Sequence, residues 1–334
     1  MKLHPQYSLK TLNTFGIDQI AENFVSVRSQ SELEEALSLP QHEQKFILGG
    51  GSNILLTQPI QGLCIHVSLK GITLIQEEEE TVIVEAMAGE NWHEFVCWSL
   101  DQGYGGLENL ALIPGNVGTS PIQNIGAYGV ELKDVFESCT ALDRNRLSSR
   151  TFSREEAQFG YRSSFFKTKA KGKYVITAVR FRLTKKAHKI NMSYGAISDA
   201  LGRREKTPQN IANAVISIRQ SKLPDPVEIG NSGSFFKNPV ISKTHYHQLL
   251  TTHPSLPAYP QENGEVKVPA AWLIDQLGFK GKRIGDAGVH TKQALVLVNH
   301  GSASGKEILA LAQDIQTAVK DSFAITLEAE VNIL

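Results

Sequence analysis

An α+β fold with several small sheets is what the pattern of this chain predicts, on three observations. Strand and helix signals alternate, but without the regular beat of a doubly wound sheet. At 334 residues the chain exceeds what one typical core serves, so two or three domains are expected. Two glycine-rich stretches, Leu48–Leu55 (LGGGSNIL) and Leu112–Gly129 (LIPGNVGTSPIQNIGAYG), interrupt the alternation with neither helical nor strand period.

Taken in order, Ala21–Val27 alternates as a strand, and Ser31-x-x-Glu34 reads as a capping box opening a short helix that Pro40 ends. Phe46–Leu48 is a short strand running into the Gly49–Asn53 turn, a β-α-β beginning. Leu63–Val67 and Thr81–Met87 are further strands, the second preceded by a solvated turn at Glu77–Glu80. Glu90–Leu100 places Trp92, Phe95, Val96 and Leu100 at helical spacing, and Gly103 stops it. Beyond the second glycine-rich stretch, Val135–Leu142 and Tyr174–Leu183 are strands flanking a short helix capped by Ser153 with Glu156. Thr207-Pro208 starts a helix through Arg219, and the two prolines of Ser221–Pro226 mark a domain boundary. Pro269–Leu277 is a helix stopped by Gly278. Lys306–Phe323 is a long helix with Ile308, Leu311, Ala312, Ile315 and Val319 on one face, and Thr326–Ile333 is a closing strand.

Composition excludes some function classes. The 34 Lys and Arg balance 34 Asp and Glu, which argues against a nucleic-acid-binding surface over the whole protein, so any anion site is local. Hydrophobic content of 41% is ordinary, no apolar run approaches a membrane span, and MKLHPQYSLK has no signal core, so a soluble cytoplasmic protein is expected. Cys64, Cys97 and Cys139 are widely spaced among apolar residues and read as free thiols rather than a disulfide or metal set. His245 and His247 lack further ligands at zinc spacing and read as a surface loop, so no metal site is expected.

The two glycine-rich stretches carry the chemistry. Glycine lets a backbone approach a ligand without a Cβ in the way, and runs of N–H groups in such loops form nests for the oxygens of a diphosphate. The lesser alternative is two tight turns with no ligand. Neither is a dinucleotide fingerprint, since no complete G-x-G-x-x-G occurs. Gly301–Lys306 falls one residue short of a phosphate loop, with Glu307 where Ser or Thr should stand, and reads as a helix start.

Four segments in order, Gly49–Asn53 (GGGSN), Ile113–Gly129, Gly160-Tyr-Arg162 and Gly233–Pro239 (GSFFKNP), resemble the UDP-N-acetylenolpyruvoylglucosamine reductase family, in its form with an extra tyrosine loop. Lys222–Pro226 (KLPDP), Trp272–Asp275, Gln293–Leu297 and Leu327–Val331 extend the likeness over nearly the whole chain. The resemblance implies a two-part FAD-binding region of the vanillyl-alcohol-oxidase type, residues 1–70 and 71–220, and a C-terminal α+β domain, 221–334, for the UDP-sugar. It implies a flavoprotein oxidoreductase that reduces UDP-N-acetylglucosamine enolpyruvate to UDP-N-acetylmuramate with NADPH and non-covalent FAD. That reaction serves peptidoglycan synthesis, hence cell-wall building, shape and division. A cytoplasmic monomer without nucleic-acid or membrane partners is implied as well.

Residue by residue, the resemblance assigns FAD to Gly49, Gly50, Gly51, Ser52 and Asn53 in the first loop. In the second it assigns FAD to Ile113, Pro114, Gly115, Gly118, Thr119 and Ser120, and then to Ile122, Gly126, Ala127 and Tyr128. Arg162 matches the partner of the substrate carboxylate, a role suited to its planar fork. Ser234 matches the donor of a proton to carbon 2 after hydride reaches carbon 3. Glu330 matches a catalytic glutamate, which beside a developing anion calls for desolvation to raise its pKa. Tyr194 matches a tyrosine that closes on the diphosphate, Lys222 and Asn238 diphosphate contacts, Gln293 a contact near the uridine, and Tyr161 a further substrate contact. Taken alone, Arg162 reads as a salt-bridge residue, Ser234 as a turn hydroxyl and Glu330 as an exposed strand residue; the matched motifs turn those readings. A flavin oxidase of the same superfamily and a non-catalytic flavin-binding regulator are the alternatives.

Overall fold

The computed structural model describes residues 1–261 and 263–334. The chain divides into two compact units, the first Met1–Tyr7, Ala21–Gly50 and Ile60–Ser221, the second Ser8–Ile20, Gly51–Pro59 and Lys222–Leu334.

In the first unit a four-stranded sheet has the order His4–Ser8, Ile20–Val27, Ile60–Val67, Lys45–Leu48. The last three strands run parallel, so helix α1 (Gln30–Ser38) is a crossover whose two strands admit Ile60–Val67 between them. It buries Leu33, Ala36 and Leu37 against Val25, Leu63 and Ile65. The cap is not Ser31 with Glu34. Ser29 holds extended backbone and its Oγ accepts the Glu32 amide at 3.2 Å, while Ser31 already lies inside the helix.

The second sheet of this unit is antiparallel, in the order Ser149–Ser153, Phe136–Asp143, Tyr174–Thr184, Thr81–Met87, Ile72–Glu77. Asn91 caps helix α2 (Trp92–Asp101), whose Trp92 and Phe95 rings pack on Phe181 with centroids 5.9 and 4.8 Å away. Helices α3 (Gly195–Leu201) and α4 (Pro208–Lys222) add Ile197, Ile211 and Val215 to the same core. The helix expected after Ser153 does not form. Its capping bonds do, with Ser153 and Glu156 exchanging amide contacts at 3.0 and 3.3 Å, but the Ala157 carbonyl then accepts the Phe165 amide at 2.8 Å and the chain turns away.

The second unit has an antiparallel sheet, Gly230–Ser234, Val296–Asn299, Ala287–Val289, Arg283–Ile284, and a smaller one of Val240–Ile241, Val266–Lys267 and Tyr259–Pro260. Helices α5 (Lys243–Thr252), α6 (Ala270–Gln276) and α7 (Gly305–Phe323) complete it. Ser304 and Glu307 form the capping box of α7, which buries Ile308, Leu311, Ile315 and Val319 at the spacing read from the sequence. His245 and His247 lie on α5 rather than on a loop, because Ser242 caps that helix and the His245 Nε2 reaches the Phe323 carbonyl at 3.0 Å. The closing strand is only Asn332–Ile333, parallel to Ile54–Leu55. The residues before it form one isolated antiparallel bridge instead of a ladder, Ala329 facing Phe236, with Lys237 donating to the Glu328 carbonyl at 2.9 Å and Glu330 to that of Phe235 at 2.8 Å.

The three cysteines are free thiols; burial pushes Cys64 and Cys139 up to about 12, and Cys97 is only partly buried. No helix among the described residues is long and apolar enough to cross a membrane.

Candidate functional site

The two glycine-rich stretches meet. In the first unit a Cβ added to Gly50 would lie 2.7 Å from Asn116 Oδ1 and 3.0 Å from the Gly115 Cα, and one on Gly49 would lie 2.5 Å from Thr119 Cγ2. Two backbones therefore face each other at a distance that any side chain would fill. The second stretch is hung on the unit's core: the Val117 amide donates to Glu90 and the Gly118 amide to Ala88, each at 2.9 Å, and Ser120 is buried with its Oγ on the Val117 carbonyl. Ile113 and Ile122 pack on the large core of this unit. A cradle of bare backbone on a fixed support suits the oxygens of a diphosphate such as the one FAD carries.

The far end of the stretch is tied to Arg162. Asn124, fully buried and with positive φ, donates from Nδ2 to the Gly160 carbonyl at 3.1 Å and accepts the Lys133 amide at 3.0 Å. Ser164 donates to the Ile122 carbonyl at 2.6 Å. Gly160 and Ser163 exchange backbone bonds across a tight turn, and Arg162 sits in that turn at φ +52°, a strained conformation for a long side chain. Its Nη1 lies 3.3 Å from where a Gly126 Cβ would be, and its guanidinium carbon 5.8 Å from the exposed Tyr161 ring. Tyr194, half exposed, meets Tyr128 edge to face with centroids 5.1 Å apart. Asn191 bonds the Gly129 carbonyl at 3.0 Å, which docks the tyrosine segment on the loop.

Two residues of this region escaped the sequence reading. His93 on α2 accepts the amide of Leu112, the first residue of the stretch, through Nδ1 at 3.1 Å. Burial holds His93 below its ordinary value, the charge of Arg219 adds to the effect, and Glu94 opposes it. Arg219 stands on α4 four residues after Val215, where the apolar face would continue. An arginine on that face was the signal available. For His93, a folded pKa below the unfolded 6.5 means that the unfolded chain takes up protons that the folded one refuses as pH falls. Stability is complete above 6.5 and is lost progressively below it. His93→Gln keeps an acceptor but does not titrate, so between about pH 8 and about pH 5 its melting temperature should fall less than the parent's; equal falls would remove His93 from the pH response.

In the second unit the Glu330 backbone is bonded to the residue that follows Ser234. Gly233 takes φ +68°, its amide bonded to Asn231 Oδ1 at 3.0 Å, and a register shift between Asn231 and Ser234 leaves Ser234 exposed between the buried Ser232 and Phe235. The Glu330 amide donates to the carbonyl of Phe235, next to Ser234, and Asn53 Nδ2 donates to the Glu330 carbonyl at 3.2 Å. Asn238 has a structural task as well, its Oδ1 accepting the Ala270 amide at the start of α6 at 3.0 Å. Lys222 is exposed at the end of α4, and Gln293 lies before Val296–Asn299 with Oε1 3.4 Å from the Leu295 amide. Among the described residues no hydrogen bond joins either of them to Ser234 or Asn238.

Residues 21–145 match a family described as FAD binding domain, and residues 225–334 match the UDP-N-acetylenolpyruvoylglucosamine reductase, C-terminal domain. The UDP-N-acetylenolpyruvoylglucosamine reductase of Flavobacterium johnsoniae is 53% identical over 337 residues, covering 100% of both chains. Those of Chromobacterium violaceum and Pseudomonas putida are 50% and 49% identical, covering 100% and 98% of this chain and 99% and 98% of theirs. Among solved structures, a UDP-N-acetylenolpyruvylglucosamine reductase from Thermus caldophilus superposes with TM-score 0.67 at 23% identity, covering 99% of this chain and 98% of that one. A VAO-type flavoprotein from Myceliophthora thermophila gives TM-score 0.50 at 13% identity over 95% and 73% of the two chains. The fold is thus α+β, an FAD-binding region of the vanillyl-alcohol-oxidase type followed by a C-terminal α+β domain.

Proposed function

The chain belongs to the UDP-N-acetylenolpyruvoylglucosamine reductase family, and from that premise we propose how its residues divide the work. It is an FAD-dependent oxidoreductase that reduces the enolpyruvyl ether of a UDP-sugar in peptidoglycan synthesis. In this reading NADPH is the reductant, residues 1–70 and 71–220 hold FAD, 221–334 meets the UDP-sugar, and the chain works as a cytoplasmic monomer without nucleic-acid or membrane partners. The observation that supports the division of roles is the backbone bond of Glu330 to Phe235, which sets the glutamate's backbone against the residue that follows Ser234.

Bound FAD supplies hydride transfer from the nicotinamide to carbon 3 of the enol ether. Arg162, fixed by its turn, takes the substrate carboxylate with two parallel charge-assisted bonds and stabilises the charge that spreads from carbon 2. Ser234 gives carbon 2 its proton, and Glu330, whose amide is bonded to the Phe235 carbonyl, orients the enolate. Lys222 and Asn238 hold the diphosphate. Because the Asn238 Oδ1 is engaged with Ala270, its Nδ2 is the group that donates. Tyr194 closes over the diphosphate, Tyr161 flanks the substrate, and Gln293 meets the uridine end.

The test is NADPH oxidation by the flavin-loaded protein, dependent on UDP-N-acetylglucosamine enolpyruvate. Lys222→Ala and Tyr194→Phe should weaken sugar binding by about tenfold each, in line with the loss of a charge-assisted hydrogen bond, while leaving flavin reduction by NADPH near the parent rate. Stopped-flow reduction and a sugar titration separate the two. Collapse of NADPH reduction with sugar affinity intact would overturn these assignments.

A further inference from the structure

We propose that Arg219 is a second cation of the anion site to which Arg162 belongs, and that the two guanidinium groups take up one planar, delocalised anion. The inference rests on the function proposed above and deepens it. Arg219 projects from the last turns of α4 and forms no ion pair among the described residues. Its Nε is enclosed and has no hydrogen-bond partner. A guanidinium stays protonated in a protein, and a buried donor left unmade is costly, so a fold does not keep one idle without return. Its neighbours sharpen the point. Burial depresses the Arg219 pKa; Tyr128 of the flavin loop acts to raise it, and the like charge of Arg162 lowers it further. Two cations that feel each other across the end of a cofactor loop are stabilised together by an anion between them.

The ligand chemistry is a flat pair of acceptor atoms sharing one negative charge, which a guanidinium fork matches. Two sources offer it: the enolpyruvyl carboxylate, and the flavin ring system, which gains negative charge when reduced. In either case Arg219 contributes binding and charge balance and passes no proton.

The experiment uses the flavin-loaded protein and the variants Arg219→Met and Arg219→Lys, with two readouts. One is the dissociation constant of UDP-N-acetylglucosamine enolpyruvate, read from the perturbed absorbance of oxidised flavin. The other is the ratio of reduced to oxidised flavin at equilibrium with a reference dye. Arg219→Met should weaken the sugar at least about tenfold with the flavin ratio unmoved if the carboxylate is the source. It should lower the reduced-to-oxidised ratio at least about tenfold with sugar affinity unmoved if the flavin is. Arg219→Lys, which keeps the charge but not the fork, should fall between parent and Arg219→Met, and it carries the test by itself should the methionine variant fail to fold. Readouts within about twofold of the parent in a variant that melts as the parent does would overturn the proposal. A parent protein that takes up no flavin would instead overturn the functional reading beneath it.

Discussion

Gly50→Val should give a folded protein that has lost its flavin. A branched side chain there meets Asn116 Oδ1 at 2.7 Å, the Gly115 Cα at 3.0 Å and the Asn116 amide nitrogen at 3.1 Å. The amide side chain can swing aside, but the two backbone atoms cannot without moving the second loop. Overpacking of this kind costs about 1–3 kcal/mol, and where the displaced backbone is also the ligand cradle, that corresponds to roughly 10- to 100-fold weaker FAD retention. Gly195→Ala is the matching control, since nothing lies within 4 Å of its added Cβ and its position opens α3. The measurement is flavin per protein after gel filtration, with far-ultraviolet circular dichroism for the fold. A Gly50→Val protein that keeps full flavin would mean that the contact of the two loops is unrelated to the cofactor.

That contact was half legible beforehand. Glycine-rich stretches without period announce themselves, because only bare backbone tolerates such approach, and both Gly49–Asn53 and Leu112–Gly129 were visible for that reason. Their pairing was not, since Gly50 and Asn116 are brought together by the sheet and not by any local pattern. The same division runs through the fold. Helix α7 was readable from its apolar spacing and its Ser304–Glu307 cap, because both signals are local. Ile72–Glu77 passed unnoticed as a strand: it is an exposed edge, mostly open to solvent, and has no buried face to impose alternation. The stretch before Asn332 misled in the opposite sense. Its alternating residues do bury Leu327 and Val331, but its backbone pairing with Phe235–Lys237 stops at one isolated bridge.

The residues of the site divide likewise. Arg162, Ser234 and Glu330 came from motifs matched to a family, and the structure adds why two of them are held as they are: a turn locked by Gly160 and Ser163, and a bulge opened by Gly233. Asn124 lies within a matched segment but was given no role there, and His93 and Arg219 belong to no motif. Their importance lies in a buried amide, a loop anchor and an unmatched donor, properties that exist only once the chain has folded.

Ser234→Ala should separate the two halves of the catalytic cycle. The hydroxyl is exposed at the bulge, so its removal costs little stability, within about 0.5 kcal/mol for a surface substitution. The glycine cradle and the Arg162 turn belong to other segments and stay as they are, and flavin reduction by NADPH should therefore proceed at the parent rate. Reoxidation by the enolpyruvyl substrate should fall by about 10²–10⁴, the contribution of a positioned general acid. Ser234→Cys should recover part of that loss, because a thiol in the same place also carries a transferable proton. Glu330 sharpens the interpretation: its amide is bonded to the carbonyl preceding Phe236, at Phe235, so Ser234→Ala leaves the glutamate's backbone seat intact and any loss belongs to the hydroxyl. The measurement is the oxidative half-reaction, with reduced enzyme and substrate mixed anaerobically and flavin absorbance followed. An alanine variant that reoxidises as fast as the parent would take Ser234 out of the chemistry and leave the bulge as a turn that merely seats Phe235 and Phe236 in the core.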